Sequence, residues 1–112
     1  MPGYAVAHLY NVDANAQVAE YLRRIDGTLA PFGGRFIVHG GRQLVAEGPA
    51  DAVPIVIEFP DYTAAEAWYR SPEYQAILRL RTDNADGIAT LADYCGDDHI
   101  ATDVLGAGAP HS

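Results

Sequence analysis

A single cysteine, Cys95, in 112 residues excludes an internal disulfide. Its thiol reads as a small buried hydrophobe rather than a nucleophile. Basic residues are scarce too: seven stand against fifteen acidic ones, a formal charge of −8. A surface of that sign repels phosphate backbones and anionic bilayers, so neither nucleic acid nor a membrane is an expected partner. No apolar run approaches the ~20 residues of a spanning helix. Met1-Pro2-Gly3 leads into a strand-like segment without a basic, signal-like region, and a cytoplasmic location is expected. The glycine pairs form neither GxGxxG nor a Walker loop, and turn geometry accounts for them. Repeats and linkers are absent as well.

What is present is the composition of one globular domain, 49% hydrophobic and 20% charged. Tyr4 to Asn11 reads as a first strand, with Ala5, Ala7 and Leu9 on one face and Tyr4, Val6, His8 and Tyr10 on the other. Asp13 is placed to cap a helix carrying Val18, Tyr21, Leu22, Ile25 and Leu29 at helical spacing. Pro31 and Gly33-Gly34 end it. Between two glycine pairs lies Arg35-Phe36-Ile37-Val38-His39, a short strand. Its alternation puts Phe36 and Val38 on one face and Arg35, Ile37 and His39 on the other. Gln43 to Glu47 reads as a short return arm. Pro54 to Phe59 is a β-branched strand with Ile55, Ile57 and Phe59 on one side and Val56 and Glu58 on the other.

Thr63 and Glu66 fit a capping box, and Ser71-Pro72 restarts the helix, which then carries Tyr74, Ile77, Leu78 and Arg81. Asp86-Gly87 reads as a turn and Ile88 to Cys95 as a last strand, of undecided parity. Asp97 to Ile100 has the composition of a further short helix, and Gly106 to Ser112 that of a frayed end. The order predicts an α+β, ferredoxin-like βαββαβ sandwich: a four-stranded antiparallel sheet with two helices on one face. The apolar parity set belongs under the helices. The other set mixes Val6, Ile37, Val56 and tyrosines with Arg35, His39, His8 and Glu58. A solvated face has no need of those aliphatics, so a second copy's sheet is expected to cover it, burying ~1,600 Å².

Three blocks then carry a family resemblance: Phe32 to Gly41 with Glu47-Gly48, Val56-Ile57-Glu58-Phe59-Pro60, and Ala67-Trp68-Tyr69-Arg70-Ser71-Pro72-Glu73-Tyr74-Gln75. In this order they resemble the DUF1330 family, within the dimeric α/β-barrel superfamily. The resemblance implies a homodimer whose two sheets face each other around a partly polar interior. Related barrels include cofactor-free monooxygenases, muconolactone-type isomerases and binding proteins, so it leaves the reaction open. The chain departs from the pattern at Tyr94-Cys95 and in the tail after Gly96. Its expected division is a family domain over 1–96 and a C-terminal extension over 97–112.

Four ionisable groups on one face mark the place to look for chemistry. Glu58, on an otherwise apolar strand, reads as a general acid or base, or as the internal ion-pair partner of Arg35. Arg35 reads as the anchor of an anionic group, or again as that partner. His39 is a candidate proton carrier, and His8 shares its face. His39, His8 and Glu58 also allow a facial metal triad, which no HxH or HxxxH spacing supports, so no metal is expected. Tyr10, Tyr69 and Tyr74 are candidate substrate contacts, Trp68 a core aromatic and Ser71 a helix cap. The function expected is cofactor-free acid–base chemistry (isomerase, cyclase or monooxygenase-like) on a small organic acid or carbonyl compound, with Glu58, His39 and Arg35 as catalytic residues. The alternative is a non-catalytic, ligand-binding or structural homodimer with an interior salt-bridge network.

Overall fold

In the computed structural model, which describes residues 1–106, apolar alternation and β-branching produce four strands: β1 Gly3–Tyr10, β2 Arg35–His39, β3 Val53–Phe59 and β4 Asp86–Asp93. They form one sheet in the order β2-β3-β1-β4, every neighbour antiparallel. Three helices, α1 Ala16–Leu29, α2 Tyr62–Arg70 and α3 Pro72–Thr82, connect them in the ferredoxin-like sequence. Short 3₁₀ turns follow at Ala30–Phe32 and Ala101–Leu105. The latter lies just beyond the helix expected at Asp97 to Ile100. The frayed end expected for 106–112 falls, past Gly106, outside the described residues.

The helix layer and one sheet face enclose the core. Tyr21, Ile25 and Leu29 of α1 meet Ile57 and Phe59 of β3, Ala65 and Trp68 of α2, and Tyr74 and Ile77 of α3. Of the apolar stripe read from α1, Tyr21, Ile25 and Leu29 are buried, Val18 is half-buried and Leu22 is exposed. Trp68 is buried as expected, and its indole N–H donates to Thr28 Oγ1 at 3.0 Å. Two glycines are fixed by this packing. A Cβ on Gly3 would stand 2.5 Å from the Tyr62 backbone, because β1 runs directly beneath the start of α2. Gly33 holds φ +70, the left-handed turn that ends the Ala30–Phe32 segment.

Several local expectations are corrected. Asn15, not Asp13, caps α1, its Oδ1 accepting from the amides of Gln17 and Val18. Asp61 replaces the Thr63 box at α2, accepting from the Ala64 amide at 2.7 Å. Ser71 caps α3 as predicted. Gln43 to Glu47 forms no strand: Gly40 and Gly41, at φ +74 and +79, turn the chain away from pairing, and Gln43 is tied by its side chain to the Ala52 carbonyl. Asp86-Gly87 belongs to β4 rather than to a turn. The β4 register settles its parity, placing Ile88, Thr90 and Ala92 opposite His8, Val6 and Tyr4. Cys95 is exposed, not buried.

The correction with the largest consequence is in β2. Phe36 pairs with Ile57, yet Val38 pairs with Val56 and His39 with Ile55, so a bulge at Ile37 inserts one extra residue. Beyond it, inside and outside exchange. Val38 joins the open face, and His39 joins Phe36 on the helix-side face, where the two rings stack at 4.3 Å with an 18° interplanar angle.

Candidate functional site

The sheet has two faces, and the candidate residues divide between them. On the open face β2 and β3 hold Arg35 opposite Glu58. Arg35 Nη2 and Nε both donate to Glu58 Oε1, at 2.7 and 3.1 Å. The Arg35 side chain is 70% exposed in the single subunit and Glu58 26%, so the pair is a surface feature here and contributes well under ~1 kcal/mol as it stands. His8 and Tyr10 share this face along β1. His8 also borders a small cavity of about 300 Å³ beneath residues 43–47. Ile37, Val38 and Ile88 complete the face as exposed aliphatics.

The larger cavity lies on the other side of the sheet. The helix layer does not close fully against β1, β3 and β4, and it leaves a space of about 530 Å³. Ala5, Ala7, Leu9, Ile55 and Ile57 form its floor, and Tyr21, Trp68, Tyr69 and Tyr74 are in its helical walls. His39 and Phe36 reach it from the edge strand because of the bulge. Of the predicted site residues, the structure therefore brings His39, Tyr69 and Tyr74 to this cavity. It does not bring Arg35, Glu58, His8 or Tyr10 there. The facial triad of His39, His8 and Glu58 is overturned by the same register, since the sheet separates His39 from the other two. No cluster of three or more metal-ligating side chains exists among the described residues.

At the polar end of the cavity Tyr74 was a sequence candidate, whereas Tyr21 and Arg81 were not. Tyr21 Oη and Tyr74 Oη lie 2.7 Å apart in a buried hydrogen bond between α1 and α3. Arg81 sits with its guanidinium carbon 5.8 Å from the centre of the Tyr21 ring. Burial pushes the Tyr21 phenol well above its ordinary range, the Tyr74 phenol adds to this, and Arg81 opposes it. Burial works against the charge of Arg81, and the two phenols outweigh it, so the guanidinium stays charged. Glu66 and Arg70, also in the lining, are paired at 3.3 Å. Arg81 enters none of the ion pairs among the described residues. A sequence signal for it existed: Arg81 follows Tyr74 by seven residues, two helical turns, on the same apolar stripe of α3.

Comparison with known proteins agrees with the architecture. A protein of unknown function from Rhodopseudomonas palustris superposes with a TM-score of 0.60 at 21% identity, covering 83% of this chain and 82% of that one. SnoaB, a cofactor-independent oxygenase from Streptomyces nogalater, gives 0.59 at 12% identity over 89% of this chain and 97% of that one. A dimeric ferredoxin-like protein of unknown function from Jannaschia sp. CCS1 gives 0.56 at 14% identity over 80% and 98%. At these identities the likeness is one of fold. No curated protein matches the sequence. The profile of a domain of unknown function, DUF1330, matches residues 2–94, nearly the whole folded part. With its four-stranded antiparallel sheet and helices on one face, the chain belongs to the DUF1330 family.

Proposed function

We propose that this protein is a small-molecule enzyme whose site is the cavity between sheet and helices, working by proton transfer on a small organic acid or carbonyl compound. The observation that carries this reading is the cavity itself. Its volume lies within the ~300–1,000 Å³ usual for ligand sites, and its walls are apolar and aromatic with a few polar groups. His39 is the proton carrier, since an imidazole at the cavity edge can reach both solvent and a bound molecule. Tyr69 and Tyr74 contact the substrate. The chemistry assigned uses side chains alone, as in an isomerase, a cyclase or a cofactor-free oxygenase.

Arg35 and Glu58, with His8 and Tyr10, take the second role that the sequence allowed. Their closed ion pair among exposed aliphatics supports a homodimer formed sheet to sheet, where the pair organises the interface instead of turning over substrate. The functional domain is then residues 1–96, and 97–112 is an extension beyond it.

The test is proton exchange. The protein is incubated in D₂O with a panel of enolisable carbonyl compounds and aromatic acids, and exchange or conversion is followed by NMR. For any compound turned over, His39→Ala is expected to lower the rate by at least ~10²-fold, while Glu58→Gln leaves it within about threefold. Full activity of His39→Ala together with loss in Glu58→Gln would return the site to the open face.

A further inference from the structure

The cavity has a polar end that its apolar walls do not explain. Tyr21 and Tyr74 share one hydrogen bond, and a pair of phenols holds two O–H protons. One proton is used between them. The other remains for a third group. Arg81 lies beside the pair, half-buried, its charge uncompensated by any ion pair among the described residues, in a protein of net charge −8. A cation and a spare phenolic proton at the wall of an apolar-lined cavity are what a bound oxyanion requires. The adjoining wall is continuous aromatic surface. Trp68 and Tyr74 ring centres are 4.1 Å apart and those of Tyr69 and Tyr74 5.5 Å. Such a surface favours a flat, conjugated partner.

We infer that Arg81, Tyr21 and Tyr74 form an oxyanion subsite, and that the cavity takes planar aromatic or conjugated acids with the ring system on Trp68 and Tyr69 and the anionic oxygens at Arg81. This deepens the cavity reading above and rests on it. It also gives the phenol pair a role in chemistry: an enolate or phenolate formed in the cavity develops its charge beside a guanidinium and two phenols.

Two probes of nearly equal shape separate the subsite from the cavity. Binding of 2-naphthoate and of uncharged 2-naphthamide is measured by titration calorimetry. Quenching of Trp68, the sole tryptophan and part of the cavity wall, reports whether the probe is inside. The acid is expected to bind at least about tenfold more tightly than the amide, an advantage lost in Arg81→Met and reduced several-fold in Tyr21→Phe and Tyr74→Phe. Arg79→Met, which removes an exposed charge from the same helix, keeps the preference. Equal binding of acid and amide overturns the subsite and leaves the cavity standing, as does an unchanged preference in both Arg81→Met and Tyr74→Phe. Failure of both probes to bind, or of the bound acid to quench Trp68, overturns both readings.

Discussion

Tyr21 and Tyr74 each place a hydroxyl in the buried layer between α1 and α3, and one donates to the other. Burial first, and the neighbouring phenol second, raise the Tyr21 ionisation above its ordinary value near ~10. As pH rises, the unfolded chain therefore gives up this proton before the folded one does. The stability it contributes is complete below pH ~10 and declines above that, by about 1.4 kcal/mol per pH unit. Urea melts of wild type and Tyr21→Phe between about pH 9.5 and 11.5 should show a shallower alkaline decline in the variant; parallel curves would refute the assignment. The same pair explains why Tyr21 escaped notice in the sequence. Its position in the α1 stripe reports only that the ring is buried, and the hydroxyl's partner lies 53 residues away.

Helices α2 and α3 meet at Ser71, a single residue that ends one and caps the other. Its Oγ donates to the Trp68 carbonyl at 2.7 Å and accepts from the Tyr74 amide at 3.2 Å. Those two residues carry the aromatic wall, so the cap fixes the angle at which their rings meet. Ser71→Ala should cost about 1–2 kcal/mol in chemical denaturation and weaken binding in the cavity. A variant with native stability would show the joint to be held by packing alone. Ser71-Pro72 was legible because its chemistry is local. The α1 cap was not, because Asp13 and Asn15 are equally good caps two positions apart. The choice is made by Asn84, whose carbonyl takes the Asp13 amide at 2.7 Å and whose side chain takes Asn15 Nδ2 at 2.6 Å. Strand faces were readable wherever alternation ran unbroken, as in β1 and β3. In β2 they were readable only as far as Phe36.

On the scale of the molecule, the open sheet face joins Val6 and Val56 at its centre to the exposed Ile37, Val38 and Ile88, with the Arg35–Glu58 pair beside them. Sheet-to-sheet pairing would bury on the order of 1,600 Å² and take that ion pair out of water, where its geometry would set the register of the two copies. Light scattering at about 50 µM is expected to give a dimer for wild type and a monomer for Val6→Asp, since a carboxylate at the centre of such an interface is costly to desolvate. A monomeric wild type would remove the basis for this face. The sequence pointed to this face through its excess of aliphatics, which has no use in water. It could not point to the cavity, because a void is a property of how helices seat on a sheet and no residue encodes it alone.

The bulge at Ile37 acts as a phase shift along the chain. Upstream of it, a side chain's odd or even position assigns it to the open face or to the helix-side face by one rule, and downstream by the opposite rule. Arg35 and His39 are separated by an even number of positions, yet they serve different compartments. Deleting Ile37 would remove the bulge and restore a single phase, leaving Val38 opposite Val56 and His39 opposite Ile55, so that His39 keeps its place beside Phe36. Persistence of the close Phe36–His39 ring contact, visible as little-changed His39 imidazole resonances, is the expected result, and its loss would refute this reading of the register. With Ile37 present, the bulge thus decides which face of the sheet this imidazole joins.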